Sequence, residues 1–196
     1  MDAWSGAAND FRKNEMNKVT SALLFEMSNY YRDYLLKNGI AKLFSWVDQN
    51  NHQYLLMTSW LNEYADMDSP AGRELEDDFL RYLVQKYDAK CYSRTSMWAH
   101  EGGLIEVGVL AVEKDSPTAT MLYAPAQFAE PHPGDTQRKI ASIGEYKASS
   151  GDRDKLALGW LFNDKKIEDK KIAALEVLLK EMEPRMVNRP LPIPEK

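Results

Sequence analysis

The most strand-like pattern of apolar and polar residues lies over residues 104–123, LIEVGVLAVEKDSPTATMLY. In an extended chain, successive side chains point to opposite faces, and β-branched residues favour such a pleated surface. A polar turn at 114–117 separates two apolar halves. One face then carries Ile105, Val107, Val109 and Ala111, and the other carries Leu104, Glu106, Gly108, Leu110 and Val112. The pattern predicts a β-hairpin with both faces partly covered by helices.

A long amphipathic helix is predicted before this hairpin, over residues 10–38. Asn9 and Asp10 are N-cap candidates, and Asn38-Gly39 is a stop signal, because glycine tolerates the left-handed conformation that follows a helix. Apolar residues recur at helical spacing at Phe11, Met16, Val19, Leu23, Met27, Tyr30, Tyr31, Tyr34 and Leu35. We interpret the three tyrosines as core residues with polar tips at the rim, rather than as ligand contacts.

Residues 40–58 fit either a β-hairpin or two short helices. Aromatic and apolar runs flank a polar centre at 48–52, so the hairpin is the preferred interpretation. The following segment, 59–86, is predicted to contain the end of a short helix, a break at 66–68 and a second helix. Ser69 is a suitable N-cap and Pro70 a suitable first helical residue.

The helix that begins at Pro70 has an apolar face and an acidic face. Its predicted buried positions are Leu75, Phe79, Leu80, Leu83 and Val84. Its acidic residues, which suit the positive end of a helix, are interpreted as a solvated face: Glu74, Glu76, Asp77 and Asp78. Adjacent residues point apart on a helix, so Asp77 and Asp78 do not form a natural catalytic pair.

Part of this segment resembles a known family. Trp60-Leu61, the run Asp68-Ser69-Pro70-Ala71-Gly72, and Asp77 resemble the YozE-type SAM-like helical module over about twenty residues. The family expects Asp-Leu directly after the glycine, where this chain has Arg73-Glu74. The resemblance implies a small helical bundle and an interaction module. It implies no enzyme chemistry and no site residues.

The C-terminal half is predicted to contain short strands and two helices. Residues 91–98 and 139–147 are predicted strands, 100–103 a turn, 124–134 a loop rich in proline, and 149–152 a flexible break. A short buried helix is expected around 156–162 and a last helix over 166–182. The apolar stripe of this last helix is Ile167, Ile172, Leu175, Leu178, Leu179 and Met182.

These elements predict an α+β fold. A small antiparallel sheet would pack against the long N-terminal helix and the C-terminal helix, with a helical insert. Residues 1–184 would form one globular domain, in which 53–87 could be a helical subdomain. Residues 185–196 would form a Pro-rich tail that is loose or docked on the surface, and that is dispensable for folding.

Composition narrows the classes of function. The chain has 196 residues, a formal net charge of −5, one cysteine and three histidines. One cysteine excludes an internal disulfide, and no histidine spacing suggests zinc. No apolar run is long enough for a membrane span and the start does not resemble a signal peptide, so the cytoplasm is the expected compartment. The acidic balance disfavours, without excluding, binding to nucleic acid. No cofactor is predicted, and the oligomeric state stays open.

Two groups of residues are catalytic candidates. Asp135 followed by Glu145-Tyr146-Lys147 resembles the PD-(D/E)xK nuclease pattern, in which two carboxylates hold Mg²⁺ and a lysine steadies the attacking water. An exposed edge strand with alternating charges explains the same residues more simply. Cys91 with His100 does not form a nucleophilic pair if both lie on one strand, because about 3.3 Å per residue separates them by more than ~20 Å.

Two functional hypotheses follow. The preferred one is a non-enzymatic protein-interaction or inhibitor-type protein, which binds another protein through an acidic or aromatic surface. Small acidic single domains without a catalytic signature include inhibitors carried by phages and mobile elements, so such an origin is a further expectation, by analogy. The alternative is a metal-dependent nuclease that uses Asp135, Glu145 and Lys147.

Overall fold

The computed structural model describes residues 17–101, 104–130, 139–156, 161–163 and 165–193. The helices are α1 (Lys18–Asn38), α2 (Pro70–Lys86), α3 (Arg153–Leu156) and α4 (Asp169–Met182), with 3-10 helices at Thr58–Glu63 and Glu183–Arg185. The strands are β1 (Leu43–Val47), β2 (His52–Met57), β3 (Cys91–Ala99), β4 (Ile105–Glu113), β5 (Thr118–Phe128), β6 (Ile140–Ile143), β7 (Lys147–Asp152) and β8 (Val187–Pro190).

All eight strands join one antiparallel sheet. Its order is β6-β5-β4-β3-β1-β2-β8, and β7 also pairs with β5. The long β5 holds β7 along residues 118–123 and β6 along residues 126–128 of the same edge. The α+β prediction is therefore confirmed, with a larger sheet than the small one expected.

The central hairpin divides its side chains between two hydrophobic cores, as its alternation predicted. Val107 and Val109 of β4 face α1, where they meet Leu23, Met27 and Leu35. The other face of β4 belongs to a second core formed with α2 and α4, whose members include Leu110, Val112, Phe79, Leu83 and Leu179. The sheet is thus a middle layer between α1 on one side and α2 with α4 on the other.

Helix α1 ends where the sequence predicted. Gly39 adopts a positive φ of 87°, and its N–H donates to the Leu35 carbonyl. At the other end, the Asn17 side chain accepts from the Val19 N–H. The predicted start at residue 10 and the N-cap candidates Asn9 and Asp10 lie outside the described residues. Tyr31 belongs to the core, and the rings of Tyr30 and Tyr34 stack with their centroids 6.3 Å apart.

The hairpin interpretation of residues 40–58 is confirmed. β1 pairs with β2, and the Asp48 carboxylate accepts from the N–H groups of Asn50 and His52 in the turn. Residues 53–57 therefore lie in a strand, and the helical part of the 53–87 segment begins with the 3-10 helix at Thr58. Ser69 caps α2 by accepting from the Gly72 N–H. Gly72 is required there, because a Cβ at this position would lie 1.9 Å from the Asp66 carbonyl oxygen.

The C-terminal third differs from the prediction in its strands. Residues 149–152, expected to be a flexible break, complete β7, because β5 supplies a paired edge for this polar sequence. The helix expected at 156–162 stays a prediction over residues 157–160, which lie outside the described ranges; α3 covers Arg153–Leu156, and residues 161–162 form a turn. Part of the Pro-rich tail is docked: β8 pairs with β2, and Leu191 is buried against the α1 core.

Across the described ranges, no helix combines the length and the apolar character that crossing a bilayer requires.

Candidate functional site

The predicted nuclease residues are only partly described. Glu145 lies in the connection between β6 and β7, and Lys147 is the first residue of β7. Both are exposed, whereas Tyr146 between them is buried and donates a hydrogen bond to the Ser28 carbonyl at 3.4 Å. Asp135 lies outside the described ranges, so the three-residue site stays a prediction. In the ranges that are described, no three His, Cys, Asp or Glu side chains form a group that could hold a metal.

Cys91 and His100 are separated as expected. Cys91 opens β3 opposite Glu113, whereas His100 follows the end of that strand. The His100 ring instead contacts Glu106, with Nε2 2.7 Å from Oε2. Burial raises the pKa of the Cys91 thiol to about 12, so this thiol stays protonated at neutral pH.

The interpretation of the acidic face of α2 as solvated was wrong for two of its four acidic residues. Glu74 is exposed and Asp77 is half-buried, but Glu76 and Asp78 are buried beside cations, which come from α2 itself and from elements that are distant in sequence. Asp78 lies 3.3 Å from Arg81 of the same helix and 2.7 Å from the Lys171 ammonium of α4. Glu76 faces the guanidinium of Arg94 on β3 at 3.8 Å.

These residues form an ionic cluster that ties α2 to α4 and to the sheet. Arg94 also lies 4.0 Å from the more exposed Asp77, and Lys171 lies 2.6 Å from Glu74. The hydrogen bonds that the Lys171 ammonium donates to Asp78 and then to Glu74 raise its pKa well above the ordinary value. Each buried carboxylate of the cluster therefore has a cationic partner, which is what burial of a charge requires.

The sheet opens beside this cluster, between β1 and β3. β3 pairs with β4 from Cys91 to Ala99, but it pairs with β1 only as far as Arg94. Beyond that point the Thr95 hydroxyl lies between the two strands. It accepts from the Leu43 N–H at 2.8 Å and donates to the Leu43 carbonyl at 3.4 Å. We call the resulting opening, bounded by residues 40–43 with Thr58 and by residues 94–98, the cleft.

The cleft has a volume of about 270 Å³ and two chemically different walls. Tyr31 of α1 reaches it from one face of the sheet, together with the side chains of Thr95 and Met97. Glu76 of α2 reaches it from the other face, together with Arg94. Burial raises the pKa of Tyr31 to about 12, and a hydrogen bond with Thr95 offsets part of that rise.

Trp98 lies at the outer end of the cleft because β4 has no side chain beneath it. A Cβ on Gly108, which pairs opposite Ser96, would lie 2.7 Å from the Trp98 ring. Gly108 therefore lets the indole lie directly on the strand backbone. Ile40, 39% exposed, lies on the opposite side of the cleft. The cleft thus combines apolar surface with the ion pair of Arg94 and Glu76.

Sequence reasoning did not find this site. Its residues come from α1, the 40–43 segment, α2 and β3, and no motif joins them. Gly108 within the regular alternation of β4 was the one available signal, because a glycine inside a strand marks a close approach of another group.

The chain was compared with known proteins in three ways. No family model matches it, and no match was found among curated proteins or among solved structures.

Proposed function

We propose that this chain is a non-enzymatic protein that binds another protein, and that the cleft between β1 and β3 is its binding site. The observation that carries the proposal is the opening of the sheet at Thr95, which leaves a cleft of about 270 Å³ between two central strands of the sheet. Pockets that hold whole small molecules usually measure about 300–1,000 Å³. The cleft is therefore better suited to a few side chains of a partner.

The titratable groups of the cleft support binding rather than catalysis. An effective general base has a pKa near the working pH. Tyr31, with its pKa raised to about 12, keeps its proton at neutral pH. Arg94 and Glu76 face each other at 3.8 Å, so each offsets the charge of the other. The cytoplasm stays the proposed compartment, on the sequence argument alone.

Affinity purification of the tagged full chain from its native host tests the proposal. We expect one protein to co-purify at a stoichiometric level, and the Trp98→Ala variant to lose it. Val177→Ala is a matched control, because Val177 is an apolar side chain 57% exposed on α4. The control should retain the partner. Absence of a stoichiometric protein, or equal recovery by both variants, would count against the proposal.

A parallel assay addresses the nuclease alternative. Purified chain is incubated with single- and double-stranded DNA and RNA in the presence of Mg²⁺ or Mn²⁺. We expect the nucleic acids to stay intact. Cleavage that disappears in both Glu145→Ala and Lys147→Ala, with the fold preserved, would favour the alternative.

A further inference from the structure

The backbone of β3 offers a free strand edge inside the cleft. In an antiparallel ladder, the N–H and C=O groups of successive residues face opposite neighbours. His100 N–H donates to the Leu104 carbonyl, at the β4 side of this chain segment, so the even-numbered residues of β3 face β4. Thr95, Met97 and Ala99 consequently direct their backbone groups towards β1. Within the described ranges, residues 95–99 have no strand partner on that side.

An edge of this kind is a template for another strand. A peptide that adds to it gains main-chain hydrogen bonds, and its side chains alternate between the two faces of the sheet. Here the two faces differ. One face presents Tyr31 and Met97, which pack with the α1 core, and the other presents Glu76 and Arg94. A peptide with apolar residues alternating with polar ones matches both faces.

The charge at the cleft indicates which polar residue suits the peptide. Arg94 is balanced by Glu76 at 3.8 Å and Asp77 at 4.0 Å. Lys42, which lines the cleft and is exposed, has no carboxylate within ion-pair distance among the described residues. Among the described parts of the chain, Lys42 therefore brings to the cleft a positive charge with no ion-pair partner, and an acidic residue complements it.

We infer that the cleft binds an extended segment of a partner protein by strand addition to Thr95, Met97 and Ala99, with apolar and polar residues in alternation and an acidic residue at Lys42. This inference rests on the proposed function and specifies how the partner is held. Exposed Ile40 and Leu104, the latter beside the end of β3, extend the apolar surface on which such a segment would lie.

The test uses the full chain and a display library of random peptides about ten residues long. We expect the selected peptides to alternate apolar and polar residues and to contain Asp or Glu. The tightest peptide is then resynthesised with single backbone N-methyl groups. Because each lost hydrogen bond costs about 1 kcal/mol or more, affinity measured by fluorescence anisotropy should fall about five- to tenfold at every second position.

Two variants test the protein side. Met97→Pro removes a donor that faces the cleft and leaves the hydrogen bonds to β4, and it should weaken binding about tenfold. Met97→Leu keeps the donor and should bind within about threefold of the parent chain. Lys42→Glu should weaken the binding of acidic peptides. Replacing the acidic residue of the peptide with lysine should restore the affinity for this variant.

The results separate this inference from the proposed function. Strand addition is overturned if the affinity is unchanged at every N-methyl position of the peptide and is also unchanged in Met97→Pro and Lys42→Glu. A library that yields no binder overturns it as well. In both cases a partner that co-purifies with the parent chain, and is lost from Trp98→Ala, leaves the proposed function in place. The N-methyl series alters only the peptide. It therefore tests strand addition even if Met97→Pro lowers the melting temperature of the protein.

Discussion

Replacement of Asp78 by asparagine should destabilise the fold strongly, although Asp78 looks like one of several surface acids in the sequence. Its side chain is 8% exposed and that of Arg81 is 6% exposed, with 3.3 Å between the two groups. Asparagine keeps the size of the side chain but removes the charge. Arg81, whose Nε already has no hydrogen-bond partner, then stays buried beside a neutral group.

The magnitude follows from this geometry. Removing one partner of a buried ion pair costs about 3–5 kcal/mol, because the other charge is left uncompensated. The asparagine oxygen still accepts a hydrogen bond, so we expect about 3 kcal/mol. For a domain of this size, a change of 1 kcal/mol moves the melting temperature by about 2–4 °C, which predicts a decrease of about 6–12 °C.

Urea unfolding followed by circular dichroism measures the change in free energy. Glu74→Gln is the matched control: it removes a second carboxylate from Lys171, but Glu74 is 64% exposed, and the change should stay below about 0.5 kcal/mol. The double variant Asp78→Leu with Arg81→Met removes both charges. Its free energy of unfolding should therefore lie much closer to that of the parent chain than the value of either single variant. The prediction is contradicted if the free energy of unfolding of Asp78→Asn lies within about 0.5 kcal/mol of that of the parent chain. It is also contradicted if the separate effects of Asp78→Leu and Arg81→Met add up to the effect of the double variant.

Three further predictions concern other parts of the fold. Leu23→Ala, at a fully buried position of α1, should lower the free energy of unfolding by about 2–5 kcal/mol, and an unchanged urea midpoint would contradict this. Truncation after Met186 should lower the melting temperature, because it removes β8 and the Arg189–Glu26 ion pair at 2.9 Å; unchanged stability would restore the view of a dispensable tail. Burial raises the pKa of Tyr31 and of Tyr92 to about 12. Both phenols therefore lose their protons near pH 10 in the unfolded chain, but only at a higher pH in the folded chain. Stability should therefore fall between about pH 10 and 12, less steeply in Tyr31→Phe, as an alkaline urea series can check.

Local sequence patterns correctly predicted the elements that are determined by neighbouring residues. The 104–123 hairpin, the stop at Gly39 and the Ser69-Pro70 start of α2 each depend on neighbouring residues, and each is confirmed. The same holds for the last helix, whose apolar stripe packs in the second core, although α4 begins three residues later than expected.

The features that were missed depend on partners far along the chain. Asp78 is buried beside Arg81 of its own helix and Lys171 of α4, and nothing near Asp78 in the sequence indicates the second of these partners. β7 and β8 are polar or Pro-rich, and they become strands because β5 and β2 offer edges to pair with. The cleft is harder still to foresee, since it results from the end of a pairing rather than from any residue pattern.

Thr95 explains how the sheet can open at this point without a large loss of stability. A buried backbone group without a partner costs about 1–3 kcal/mol, and Leu43, only 2% exposed, would have two such groups where β1 leaves β3. A single hydroxyl satisfies both, because it can accept from the N–H and donate to the carbonyl. The backbone groups further along β3 face the cleft and can be hydrated there. The opening therefore costs little in the free chain, and a partner strand would gain the hydrogen bonds that β1 does not make.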